Sequence, residues 1–332
     1  MTYTFDPEIA AVVPFLPSIE GDDPATMRAF LSEMIAQLPP PDTTGLQIED
    51  REIPGPDGAP AVPVRIYRPD QRSAPGAIYS VHGGGFVAGD LETEHVLNVR
   101  LARELGVVVV AVDYRLAPET PFPGPLEDVY AGLVWTADHA GELGIDPQRI
   151  AILGNSAGGG LCAALALLAR DRRGPHIAFQ FLSVPELDDR LTSPSMTEFT
   201  DTPLWSRPRA VISWDCYLGP GRAGSDDVSI YAAPARATDL AGLPPAYVSV
   251  MHFDPLRDEG IAYAMALLTA GVNVELHLFP GTFHGSALIR LAAISQREQA
   301  EAIAVLRQAL AVPQTGLKRV TPAAWDARAR EG

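Results

Sequence analysis

Cysteine is scarce. Only Cys162 and Cys216 occur in 332 residues, neither in a C-x-x-C pair, and this excludes a disulfide framework. Positive charge is also short, with 25 Lys and Arg against 41 Asp and Glu and a net charge of −16. So acidic a surface repels phosphate backbones and anionic headgroups, and neither nucleic acid nor a membrane is expected as a partner. Long apolar runs are missing too: the longest, Leu161 to Ala169, falls well short of the roughly 20 residues that span a bilayer. The opening MTYTFDPEIAAVVPFLP is Pro-rich and has no basic start, unlike a signal peptide, so a cytoplasmic protein is expected. His95, His139, His176 and His277 have no partners at metal-ligand spacing, so neither a metal nor a cofactor is expected. What is abundant is ordinary core material: hydrophobic residues make up 47%, enough for a sizeable buried core.

The first forty residues are irregular and Pro-rich apart from one helix expected over 24–37. There Met27, Phe30, Leu31, Met34 and Ile35 fall on one face at spacings of three and four. From about residue 46 short apolar runs alternate with helical stretches. Val62–Tyr67, Ala77–Val81, Val107–Val112, Ile150–Leu153, Phe179–Val184, Tyr247–Met251 and Val274–Phe279 read as strands. The unbroken VVVVAV at 107–112 implies a strand buried on both faces. Helices are expected near 92–104, 126–140, 157–171, 258–270 and 287–311. The alternation predicts an α/β fold with a mostly parallel sheet covered by helices. Residues 188–225, with four prolines and two tryptophans, break the rhythm and read as an insertion above the sheet. The last twenty residues read as a loosely packed tail.

Gly154-Asn155-Ser156-Ala157-Gly158 lies between a strand and an Ala/Leu-rich helix. A G-x-S-x-G turn in that setting strains the serine backbone and leaves Oγ exposed above the sheet edge. The helix N-terminus that follows offers free N–H groups to a developing oxyanion. His82-Gly83-Gly84-Gly85-Phe86 forms a second glycine loop after a strand. It lacks the G-x-x-x-x-G-K-[ST] pattern and a nearby Lys, so an oxyanion hole shared with the Ala157 N–H is a better reading than a phosphate cradle.

Five blocks carry a resemblance: HGGGF at 82–86, YRLAPE at 114–119, GNSAGGG at 154–160, DPLRDEG at 254–260 and FHG at 283–285. Together they resemble the bacterial hormone-sensitive-lipase-like esterases, enzymes of the α/β-hydrolase fold, from about residue 50 to 310. The resemblance implies Ser156 as nucleophile, Asp254 as orienting acid and His284 as general base, in the chain order such hydrolases show. It implies an oxyanion hole at Gly84, Gly85 and Ala157, with Gly83 less suited. It also implies a helical cap built from residues 1–45 and 188–225, over a core of 46–187 and 226–312, with 313–332 as the tail. Among the seven histidines His284 alone sits in a loop after a late strand, and Asp254 follows the strand before it.

Neighbouring residues are read more modestly. His82 is expected to shape the glycine loop, His252 to face the interior, and Asp258 to be either a second acid partner or a helix N-terminal acid. Tyr114, Arg115 and Glu119 are expected to hold the loop beneath the site. Phe86, Leu204, Trp205 and Trp214 are candidates for the substrate pocket. Two positions depart from the family pattern: Asn155, where an acid is common, and Ser286, where a bulky residue often follows His-Gly. The expected activity is hydrolysis of short-chain carboxylic esters through an acyl-enzyme. Lactone hydrolysis, amide hydrolysis and non-catalytic ligand binding are the alternatives. The resemblance also implies a homodimer paired through Val274–Phe279.

Overall fold

The computed structural model describes residues 3–17, 21, 23–56 and 58–311. The tail expected over 313–332 lies outside them. Eight strands form one sheet: β1 Leu46–Ile53, β2 Val62–Pro69, β3 Ala77–Val81, β4 Val108–Val112, β5 Ile150–Asn155, β6 Phe179–Ser183, β7 Ala246–Phe253 and β8 Val274–Phe283. Their spatial order is β1-β2-β4-β3-β5-β6-β7-β8. Only β2 runs against the others, pairing antiparallel with both β1 and β4. The β-branched run of β4 is buried at every position, as its composition requires of a central strand covered on both faces.

The helices follow in chain order as α1 Pro7–Ala10, α2 Pro24–Ala36, α3 His95–Leu105, α4 Gly124–Asp138, α5 Ala140–Leu143 and α6 Ala157–Arg172. After them come α7 Pro194–Glu198, α8 Arg207–Leu218, α9 Arg257–Thr269 and α10 Ala293–Ala309. Helix α6 is buried from Ala157 to Ala169, where Ala, Gly and Leu let it lie close on β5 and β6. Helices α3 and α10 cover the opposite face, around Leu153, Phe181 and Tyr247.

Three expectations need correction. β1 is a complete eight-residue edge strand where only the onset of the core was expected. Its sequence LQIEDREI has no apolar run, and cross-strand ion pairs such as Arg65–Asp50 (2.6 Å) and Arg68–Glu49 (2.8 Å) tie it to β2. β8 extends to Phe283 because β7 continues beside it past an irregularity between Met251 and Phe253. Helix α10 begins at Ala293, since Ser286–Leu288 form a separate 3₁₀ turn. The 188–225 region contains helices α7 and α8 and no strand.

Parallel pairing decides where the chemistry gathers. Val81 of β3 lies opposite Gly154 of β5, so the glycine loop and the Ser156 turn leave the same sheet edge side by side. β7 and β8 run parallel to them and release Asp254 and His284 at that edge. The carboxyl ends of parallel strands thus converge on one crevice.

Candidate active site

Ser156 occupies the turn between β5 and α6 with φ 57° and ψ −122°, a conformation that costs a non-glycine residue about 1–3 kcal/mol. The turn is fixed on several sides. Ser156 N–H donates to Ser183 O (2.9 Å), and Ser156 O accepts from Gly160 N–H (3.0 Å) and Glu186 N–H (3.1 Å). Gly158 must lack a side chain, because a Cβ there would stand 2.2 Å from Val81 O on β3.

His284 meets Ser156 across the crevice, with Nε2 3.0 Å from Oγ. Its Nδ1 lies 2.8 Å from Asp254 Oδ2. Asp254 is fully buried and its other oxygen accepts from Leu256 N–H (2.9 Å), which locks the carboxylate plane. With Nδ1–H donated to Asp254, Nε2 is left as the acceptor for the Ser156 hydroxyl. Trp205 leans over the imidazole, ring centroids 5.6 Å apart.

On the other side of Ser156 the glycine loop turns through positive φ at Gly84 (122°), Gly85 (59°) and Phe86 (60°). The Gly84 and Gly85 N–H groups donate to no protein acceptor among the described residues. Ala157 opens α6, so its N–H has no intrahelical partner. Gly83 differs, since its backbone meets the Glu94 carboxyl. Glu94 is held up to about 7 by burial, against a long contact from Asn155 Nδ2 (3.4 Å). Asn155, where an acid was the common expectation, thus gives Glu94 a donor.

His82 supports the loop from below. It stacks on Tyr114 (4.2 Å), its Nδ1 lies 2.8 Å from Gly83 O, and Tyr114 OH donates to His82 O (2.9 Å). Burial pushes the imidazole down to about 4, so it is neutral and no base for the reaction. Arg115 holds buried Asp128 through two contacts of 2.7 Å, whereas Glu119 reaches Arg28 on α2 at 2.6 Å.

A cavity of about 420 Å³ opens over Ser156 and His284. Helix α2 contributes the apolar stripe read from the sequence, and Leu204 and Trp205 add a second wall. Phe86 and Trp214, also expected in the pocket, are not part of its lining. The positive φ of Phe86 turns its ring into the core, where it stacks on Tyr217 (4.0 Å) and tilts against Trp214 (5.4 Å). His252 stacks on Phe253 (4.1 Å) outside the cavity, and Asp258 accepts from Ser195 N–H (2.7 Å) rather than from His284. Ser286 is fully buried behind the wall and leaves Gly285 and Ala287 to line it. Glu94, Arg100 and Glu298 line the cavity without having been singled out in the sequence; they lie on helix flanks with no motif to mark them.

Among the described residues, no group of three or more His, Cys, Asp or Glu is placed to hold a metal ion. No helix among them is long and apolar enough to cross a membrane.

Residues 78–288 match the family model described as alpha/beta hydrolase fold. Carboxylesterase NlhH of Mycobacterium tuberculosis is 40% identical over 297 residues, covering 87% of this chain and 91% of the relative. An arylesterase of Saccharolobus solfataricus is 35% identical, over 77% of this chain and 84% of its own. Among solved structures, a bacterial heroin esterase superposes with a TM-score of 0.88 at 53% identity, covering 92% of this chain and 98% of its own.

Proposed function

The chain belongs to the hormone-sensitive-lipase-like esterases of the alpha/beta hydrolase fold, and on that premise we propose its catalytic residues and the size of its substrates. It is a serine carboxylic-ester hydrolase. Ser156 attacks the ester carbonyl while His284 Nε2, 3.0 Å away, takes the hydroxyl proton. Asp254 keeps the imidazole in the required tautomer and stabilises the imidazolium that forms. The oxyanion of the tetrahedral intermediate is met by the N–H groups of Gly84, Gly85 and Ala157, each worth about 2.7–4 kcal/mol in the transition state. His284 returns its proton to the departing alcohol. A water then repeats the sequence on the acyl-enzyme and frees the acid.

The observation that carries this reading is the coincidence of the Ser156–His284–Asp254 hydrogen-bond chain with unpaired N–H donors on one crevice. The described residues within 1–45 and 188–225 form a cap on those of the 46–187 and 226–312 core, a reading supported by α2, Leu204 and Trp205 in the cavity wall. A cavity of about 420 Å³ is small within the roughly 300–1,000 Å³ range of ligand sites and favours short acyl chains. Rates on p-nitrophenyl acetate, butyrate, octanoate and palmitate, with Ser156→Ala in parallel, test both parts. Turnover should fall toward palmitate and vanish in the variant; faster palmitate turnover would overturn the short-chain reading.

A second copy pairs along β8. That strand is one of the two edges of the sheet, and Leu276 and Leu278 on it are exposed. Sedimentation at micromolar concentration should give twice the 35.4 kDa chain mass, and a monomer alone would contradict the pairing.

A further inference from the structure

The cavity continues past Ser156 along the sheet. Parallel register sets Leu153, Phe181 and Tyr247 in one row across β5, β6 and β7, and sets Asn155, Ser183 and Ser249 in the row two residues on. Residues two apart share a face, and both rows line the cavity. The nearer row is built of short side chains, and this opens a passage beneath the catalytic serine. The farther row is aromatic at two of its three positions, with Phe181 and Tyr247 stacked at 4.5 Å. It lies three residues before Ser156, about 10 Å away at the usual rise of a strand.

Helices α3 and α10 close this inner branch, and there the charges are unevenly paired. Arg100 on α3 is engaged by Glu104 (2.6 Å) and by the Gln299 side-chain oxygen. Tyr247 OH donates to Glu301 (2.8 Å), which also takes His277 Nδ1 at 2.7 Å. Arg297 donates to His277 Nε2 (3.0 Å). Glu298 on α10 lines the cavity and has neither a hydrogen bond nor an ion pair among the described residues. Burial first and Glu301 second hold its carboxyl up at about 8, so near neutral pH it is protonated in the free enzyme and ionises as a cation docks beside it and lowers that value.

A carboxyl without a partner in the wall of an otherwise largely apolar cavity branch is the chemistry that receives an alkylammonium group. The arm that occupies the inner branch is fixed by the order of steps. The alcohol must leave and water must enter through the outer part, lined by α2 and the exposed Leu288, while the acyl group stays bound to the enzyme. We propose that the inner branch is an ammonium subsite, in which Glu298 receives a cationic group at the far end of the substrate's acyl chain. This rests on Ser156 being the acylated residue, and it narrows the substrate class to short acyl chains that end in an amine.

The test compares 4-nitrophenyl 6-(trimethylammonio)hexanoate with its neutral isostere, 4-nitrophenyl 7,7-dimethyloctanoate. The cationic ester should have at least a tenfold higher kcat/KM, and that ratio should fall toward one in Glu298→Gln. The same comparison with a two-carbon spacer, too short to reach Glu298, should show no cationic preference. In the unsubstituted enzyme, hexyltrimethylammonium should compete with butyrate ester at a Ki at least tenfold below that of hexanol, a result independent of how the variant folds. Equal rates on the two esters, a ratio that survives Glu298→Gln in folded protein, or equal inhibition constants would overturn the subsite. If butyrate turnover still requires Ser156, the catalytic reading stands without it; turnover that persists in Ser156→Ala would overturn the catalytic reading instead.

Discussion

Arg28 is the residue through which α2 is fastened over the crevice. Its Nε donates to Val87 O (2.6 Å), its Nη2 to Ala117 O (3.0 Å), and both terminal nitrogens reach Glu119 at 2.8 and 2.6 Å. Val87 directly follows the glycine loop, so the same contacts tie the cavity wall to the N–H groups proposed as oxyanion donors. The Glu119 pair is largely exposed and contributes at most about 1 kcal/mol. The two carbonyl contacts come from a charged donor, a kind worth about 1.5–3 kcal/mol each. Because the guanidinium is about a third exposed, we discount the two contacts below that range, to about 2 kcal/mol for the pair. That shifts the docking equilibrium of α2 by up to about 30-fold. In Arg28→Ala, KM for p-nitrophenyl butyrate should therefore rise, by at most that factor, while kcat changes much less, since Ser156, His284 and Asp254 are untouched. Limited proteolysis should open first within residues 21–45, and Arg28→Lys, which keeps the charge without the planar fork, should recover only part of the loss. Steady-state kinetics on the three proteins decide it. An unchanged KM with accelerated cleavage of α2 would show that the helix does not form part of the working pocket, and a fall in kcat alone would refute the argument.

Asp254→Asn should lower kcat by about 10⁴ with little change in KM, because the amide favours the wrong imidazole tautomer; steady-state kinetics at pH 8 measure it. Gly85→Ala should cut kcat while leaving the protein folded. A Cβ there would stand 2.7 Å from the Trp205 ring on a backbone at φ 59°, and circular dichroism alongside kinetics separates the two effects. Glu186 is buried and held up to about 8, chiefly by burial, so its folded pKa exceeds its unfolded one. The stability it contributes is complete below the unfolded pKa, near 4.5, and is lost as pH rises through about 8. Glu186→Gln should accordingly raise Tm relative to the unsubstituted protein at pH 8 and less at pH 5; parallel Tm curves across that range would contradict the assignment.

The sequence makes the sheet legible where strands are buried on both faces, because an unbroken β-branched run such as 107–112 has few other uses. It hides β1, whose four consecutive charged residues give no apolar run, until β2 supplies the partners for Glu49 and Asp50. The proposed catalytic trio is legible for a topological reason: Ser156, Asp254 and His284 each follow a strand that runs the same way. Aromatic residues near the site are ambiguous, since a bulky ring fits a core as well as a pocket. Phe86 went inward because its backbone adopts positive φ, which composition does not reveal. Glu298 was invisible for a different reason. On a charged helix it reads as one more solvated acid, and only the packing of α10 across the Phe181–Tyr247 row turns it toward the cavity.

The central claim is that Ser156 carries the acyl group. Its most direct test is mass spectrometry of the protein after acid quench during turnover of p-nitrophenyl butyrate, followed by peptide mapping. The account predicts one butyryl group per chain, on the peptide containing Ser156, and none on Ser156→Ala protein. A butyryl group on another residue, or rapid turnover by folded Ser156→Ala protein, would contradict it.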